Sequence, residues 1–93
     1  MIAREARPRL ASKARLRFDR HAGQHMLVYP EKGMALNATA AAVAELCTGA
    51  HSVAEIIEQL AARHSAAPLE RIEQDVLAFL EQLAQRGLLR DSA

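Results

Sequence analysis

Histidine and cysteine side chains are the groups of this chain that could bind a metal ion or act as a nucleophile. They are His21, His25, His51, His64 and Cys47. A structural zinc site usually takes four ligands at short, paired spacings, and Cys47 has no second cysteine beside it. A catalytic cysteine also needs a positioned base and some thiolate character. We therefore expect solvated histidines, a cysteine that only fills the core, and no metal site.

Motifs of other catalytic and cofactor-binding sites are absent from the sequence. It contains no glycine-rich phosphate loop and no G-x-S-x-G nucleophile elbow. Most acidic residues fall on solvent-facing positions of predicted helices: Glu55, Glu58, Glu70, Glu73, Asp75 and Glu81. The chain is therefore predicted to be a binding module that is not an enzyme and holds no cofactor.

Length and composition predict one small domain with an aliphatic core. The chain has 93 residues, of which 51% are hydrophobic and 3% aromatic, so a wholly disordered chain is excluded. A single cysteine allows no internal disulfide. The N-terminus lacks the apolar stretch of a signal peptide, and no segment reaches the ~18 apolar residues that span a bilayer. We expect a cytoplasmic protein with no membrane partner.

Charge is distributed unevenly along the chain, although its formal net charge is only +1. Residues 1–20 hold seven basic residues against two acidic ones, and the remainder holds five against nine. Residues 1–13 also lack hydrophobic periodicity, which predicts a loose basic N-terminal arm. This arm is either solvated or helps to dock an acidic partner surface.

Three short strands are predicted after this arm. Leu16 and Phe18 alternate with charged residues, which is typical of a half-buried strand. A turn at Gly23 leads to a second β-prone run over residues 25–29, which a proline ends. Residues 34–36 form the third strand. Tight turns between the strands predict an antiparallel meander whose last strand is a free edge.

Three helices are predicted to follow. Asn37 or Thr39 caps the first, and a capping box at Ser52 begins the second. The third carries an apolar seam over residues 69–83, and Gly87 ends it.

Together these elements predict an α+β domain over residues 14–90. It consists of an N-terminal three-stranded antiparallel sheet followed by three helices in a winged helix-turn-helix-like arrangement. Residues 88–89 fold back onto the core, and residues 91–93 form a C-terminal tail.

Two binding functions are compatible with this architecture. In a winged helix that binds DNA, the last helix enters the major groove and needs positive charge. Here residues 69–86 carry four acidic residues and two basic ones, so no nucleic-acid partner is expected. DNA binding is kept only as the alternative function. A free strand edge beside a helix can instead accept a peptide as an added strand.

Several segments, taken in order, resemble the PqqD family. They are residues 15–19 (RLRFD), 27–31 (LVYPE), 36–41 (LNATAA), 45–49 (ELCTG), 52–57 (SVAEII) and 75–80 (DVLAFL). The individual pieces are ordinary, and their joint order is specific. One departure is that relatives often have an aromatic near residues 24–26, where this chain has none.

The resemblance implies a peptide chaperone of pyrroloquinoline quinone (PQQ) biosynthesis. Its partners would be the precursor peptide PqqA and the radical SAM enzyme PqqE, which cross-links a Glu and a Tyr side chain of that peptide. Neither PQQ nor an iron–sulfur cluster is expected to bind this chain. The peptide would add to the third strand and lie against the third helix. The implied peptide-binding residues are Gly33, Met34, Ala35, Leu36, Asn37, Ile72, Asp75, Val76 and Phe79.

Two points stay open at the level of sequence. The seam of the third helix does not separate core residues from contact residues, so Ile72 and Phe79 fit either role. The arm and the edge strands can also exchange between two chains, which would give a strand-swapped homodimer.

Overall fold

The computed structural model describes residues 2–30 and 32–91, without the side chain of Asp91. Over these residues the elements are β1 (Pro8–Leu10), β2 (Arg15–Asp19), β3 (Gln24–Tyr29), β4 (Lys32–Leu36), α1 (Ala38–Leu46), α2 (Val53–Arg63), α3 (Leu69–Gln85) and β5 (Leu89–Asp91). The α+β class with three helices is confirmed. Asp91, expected in a tail, belongs to β5, while residues 92–93 of that tail lie outside the described residues.

The strands form two antiparallel sheets. One has the order β2-β3-β4, as a meander requires, and the other pairs β1 with β5. A turn joins β2 to β3, in which Gly23 has φ 62° and the Asp19 carboxylate accepts a hydrogen bond from His21 N–H at 3.0 Å. One face of the larger sheet covers the core, because Leu27 and Leu36 are buried on it.

The N-terminal segment corrects one expectation. The sequence predicted a loose arm over residues 1–13, yet residues 8–10 form β1 and pair with β5. Pro8 and Ala11 are buried, and Ala11 N–H donates to the Leu88 carbonyl at 2.8 Å. Main-chain hydrogen bonds hold this segment in place. Such bonds do not require alternating hydrophobic residues, so the sequence of so short a strand does not reveal them.

The same segment completes the start of α2. The first N–H groups of a helix have no partner within it. Ala6 and Arg4 accept hydrogen bonds from the N–H groups of residues 53 and 54, at 2.9 and 3.1 Å. The Glu55 N–H donates to Ser52 Oγ at 3.1 Å, in the capping box that the sequence predicted. The arm is therefore fixed to a helix terminus as well as to a strand.

Helix α3 lies across the core and ends as the sequence predicted. Its buried side chains are Ile72, Val76, Phe79, Leu80 and Leu83. Gly87 follows the helix with φ 69°, and the N–H of the next residue donates to the Leu83 carbonyl at 2.9 Å. Leu88 is fully buried, which confirms that the chain folds back onto the core. No helix within the described residues is long and apolar enough to cross a membrane.

Candidate functional site

The edge of β4 is open toward one side of the larger sheet. Tyr29 and Lys32 are partners across a two-residue connection that begins at a proline, and such a closing pair is hydrogen-bonded. Bonded and non-bonded pairs alternate along an antiparallel ladder. Met34 therefore bonds to β3, whereas Gly33 and Ala35 direct their N–H and C=O groups away from it.

A groove of about 430 Å³ lies between this edge and α3. Residues of β4 and its C-terminal end, of α1 and of α3 line it: Met34, Ala35, Leu36, Asn37, Thr39, Ala40, Val43, Arg71, Asp75, Ala78, Phe79 and Gln82. Arg86 Nη1 donates to Tyr29 Oη at 3.2 Å, which ties the C-terminal end of α3 to the end of β3. The groove thus runs along β4 with the helix as its second wall.

Helix α3 presents one face to the groove. Arg71, Asp75, Ala78 and Gln82 recur at intervals of three and four residues, and such positions share one side of a helix. Arg71 Nε lies 3.6 Å from Asp75 Oδ2, and both side chains are exposed. Ala78, next to Phe79, is small and leaves apolar surface open at the middle of this wall. The groove can therefore accommodate apolar side chains between polar ones.

The structure brings most of the sequence-derived site residues to this groove. Met34, Ala35, Leu36, Asn37, Asp75 and Phe79 line it. Gly33 is exposed on the same edge but outside the lining, and Ile72 and Val76 lie in the core with exposed fractions of 5% and 0%. Phe79 belongs to both, since it lines the groove and is only 8% exposed. Contact of each residue with a peptide stays a prediction.

The lining also contains residues that the sequence did not indicate. Those of α3 share the face of Asp75, so helical spacing alone would have added them: Arg71, Ala78 and Gln82. Those of α1 reach the groove because that helix packs beside β4, and no local pattern shows this placement: Thr39, Ala40 and Val43.

The candidates for chemistry lie elsewhere. Cys47 is buried, as expected, and this burial raises the pKa of its thiol to about 12. A thiol that keeps its proton is a poor nucleophile. His21 and His64 are exposed, and the ring of His25 packs edge-on against Phe18 with centroids 4.8 Å apart. Within the described residues, no three His, Cys, Asp or Glu side chains are grouped so as to hold a metal ion.

Fold and groove define a small α+β domain with an open strand edge beside a helix. A family model described as Coenzyme PQQ synthesis protein D (PqqD) matches residues 24–89. The match covers more than half of the chain, which therefore belongs to the PqqD family.

Individual relatives cover almost the whole chain. A protein of Rhodopseudomonas palustris called PqqA binding protein is 37% identical over 91 residues, which are 98% of this chain and 88% of that protein. A protein of the same name from Xanthomonas axonopodis pv. citri is 38% identical over 89 residues, 96% of each chain.

A solved structure shares the fold. It is the solution structure of the PqqD part of Methylobacterium extorquens PqqCD, described as a functional and stand-alone recognition element for ribosomally synthesised and post-translationally modified peptides. It is 34% identical, with a TM-score of 0.81 over 97% of this chain and 95% of that one.

Proposed function

We propose that the chain binds the precursor peptide PqqA and presents it to the radical SAM enzyme PqqE in PQQ biosynthesis, without catalysing a reaction itself. The observation that carries the proposal is the open edge of β4 beside a groove that combines polar and apolar side chains. Relatives called PqqA binding protein, and a solved relative described as a peptide recognition element, support a peptide as the ligand.

Binding proceeds by strand addition. The N–H and C=O groups of Gly33 and Ala35 pair with the backbone of the incoming peptide, and alternate peptide side chains enter the groove toward Phe79 and Ala78. Ordering a flexible peptide costs conformational entropy, which the ladder and the buried apolar side chains offset. The groove thus fixes one segment of the peptide and leaves the remainder free for an enzyme.

Presentation follows from tethering. A peptide held by a carrier that also binds the enzyme meets the active site at a high effective concentration. The cytoplasmic location, the winged-helix arrangement and the swapped homodimer stay predictions.

The DNA-binding alternative finds little support in the charges. Two acidic residues, Glu70 and Asp75, are exposed on α3, and Asp75 lines the groove itself. A helix of net negative charge repels phosphates rather than holding them.

The proposal is tested with Ala35→Pro, because proline removes the outward N–H without touching the bonds between β4 and β3. Loss of this bond, together with the bulk of the ring at the edge, is expected to weaken binding of the PqqA peptide by about tenfold. Ala35→Val is the matched control, since it keeps the N–H on a strand-compatible residue. Affinity is measured by isothermal calorimetry after circular dichroism has verified the fold.

A titration of labelled protein locates the peptide. Amide shifts are expected to cluster over residues 33–37 and along residues 69–79. If the wild-type chain shows no shifts at high peptide concentration, the proposed function is wrong. If it binds and the folded proline variant binds equally well, strand addition through Ala35 is wrong. Salt-sensitive binding of duplex DNA in place of the peptide would favour the alternative.

A further inference from the structure

The opposite edge of the larger sheet has its own surface chemistry. Alternate residues of β3 form their main-chain hydrogen bonds with β4 and with β2, so residues 24, 26 and 28 bond to β2. Leu16 and Phe18, which pair with the other residues of β3, therefore direct their N–H and C=O groups outward. Beside them lie four exposed cations. We call Lys13, Arg15, Arg17, Arg20 and Phe18 the cationic edge.

The charges of the cationic edge are unneutralised within the described part of the chain. None of its four cations forms an ion pair there. The nearest carboxylate in sequence, Asp19, accepts hydrogen bonds from the N–H groups of His21 and Ala22 in the adjoining turn. Unpaired like charges on and beside one short strand repel each other, and an acidic partner surface relieves that repulsion.

An exposed aromatic ring lies among these charges. Phe18 is 52% exposed, although its packing against His25 holds the ring in place. Phe18 also borders a hollow of about 510 Å³ together with Arg17, Met26 and Val28. Strand alternation directs its ring to the other face of the same edge, beside His25. Arginine and aromatic side chains around half-buried apolar surface are the residues that contribute most to protein–protein binding.

We propose that the cationic edge docks an acidic surface of the enzyme to which the peptide is presented. This inference rests on the proposed function and adds the surface by which the carrier holds its enzyme. The two edges are separated by β3, about 10 Å across the sheet, so the enzyme and the peptide bind at the same time.

Charge and shape favour a protein over a nucleic acid at this surface. Residues 21–93 carry five basic and nine acidic residues, which oppose close approach of a phosphate backbone. The apolar floor at Met26 and Val28 also fits a side chain of a protein partner, because burying it needs an apolar counterpart.

The test measures binding of the chain to the PqqE holoenzyme. Arg15→Glu combined with Arg17→Glu reverses two charges on an exposed face and is expected to weaken the complex by about tenfold or more. Phe18→Ala, which changes no charge, is expected to weaken it by about fivefold or more. Arg63→Glu, a charge reversal of half that size at an exposed position of α2, is the control and leaves the affinity unchanged.

Peptide binding separates this inference from the proposed function. Each variant is expected to bind the PqqA peptide like the wild type, and saturating peptide is expected not to displace the enzyme. Binding to the enzyme should weaken as sodium chloride is raised, because salt screens exposed charges.

The outcomes are distinct. If the wild-type chain binds the enzyme and both cationic-edge variants bind it equally well, the inference is overturned while the proposed function stands. If the wild type binds neither peptide nor enzyme, the proposed function fails. Binding of duplex DNA that is lost in the charge-reversal variant would assign the surface to nucleic acid and overturn the inference.

Discussion

Strands β1 and β4 are both short, yet they differ in how much of their backbone is hydrogen-bonded. β1 pairs with β5, and it is also bonded to the segment that follows α1. The Gly49 N–H in that segment donates to the Pro8 carbonyl at 3.0 Å. β4 pairs with β3 alone and leaves Gly33 and Ala35 open beside a groove. Proteins usually cover or blunt free strand edges, because such edges pair with other chains. An edge left open next to apolar surface is therefore the part of this molecule most suited to a ligand.

The largest expected effect comes from weakening the core packing beside the paired strands β1 and β5. Leu88 is fully buried, and its carbonyl accepts the Ala11 N–H. Leu88→Ala removes a core side chain just before β5, so the free energy of unfolding should fall by about 2–5 kcal/mol. Urea denaturation measures this change.

A neighbouring substitution serves as its control. Leu89 is only half-buried, so Leu89→Ala is expected to cost less than Leu88→Ala. Below the unfolding transition, both variants should bind the peptide with wild-type affinity. A loss under about 1 kcal/mol for Leu88→Ala would mean that the return of the chain onto the core contributes little.

The second largest effect is expected when a bulky side chain blocks the groove beside β4. Ala78 is exposed on the groove face of α3. Ala78→Trp places a large ring where peptide side chains would enter, so peptide affinity should fall by about tenfold or more, equivalent to about 1.4 kcal/mol. The free energy of unfolding should change little, because the position is exposed.

The matched control places the same ring outside the groove. Ala62 is exposed on α2 and does not line the groove. Ala62→Trp should leave peptide binding unchanged, as fluorescence anisotropy with labelled peptide would measure. Equal affinities for the two tryptophan variants would contradict a peptide site in the groove.

The sequence predicted what depends on neighbours along the chain. Alternation marked β2, the capping box marked the start of α2 at Ser52, and Gly87 marked the end of α3. These signals are local because a cap or a pleat involves residues a few positions apart. The order of the helices after the sheet followed from them.

What the sequence missed depends on distant partners. Pairing of β1 with β5 joins residues 8–10 to 89–91 through main-chain hydrogen bonds, which leave no pattern in the side chains. Thr39 and Ala40 reach the groove through the packing of α1, and the burial of Val76 separates it from the groove lining. A seam of apolar residues predicts which side of a helix is inside, not where the core ends and a groove begins.

The smallest expected effect concerns the ion pair between the N-terminal segment and α3. Arg4 binds the Glu73 carboxylate of α3 through its two terminal nitrogens, Nη2 and Nη1, at 2.7 and 2.8 Å. The hydrogen bond from Arg4, aided by its charge, keeps the pKa of Glu73 below its usual value. The ionised form is thus favoured in the folded state. Its stabilisation is complete above the pKa of glutamate in the unfolded chain and is lost as pH falls through the lower, folded pKa.

Glu73→Gln should therefore lower the free energy of unfolding slightly at neutral pH and flatten its decline in the acid range. The effect is small because the pair is exposed and screened by salt. Urea denaturation at several acid pH values compares this variant with Glu70→Gln, an exposed carboxylate on the same helix. Identical pH profiles for the two would show that the Arg4 contact does not fasten the N-terminal segment to α3. Because Glu73 lies outside the groove lining, peptide affinity should stay the same in both variants.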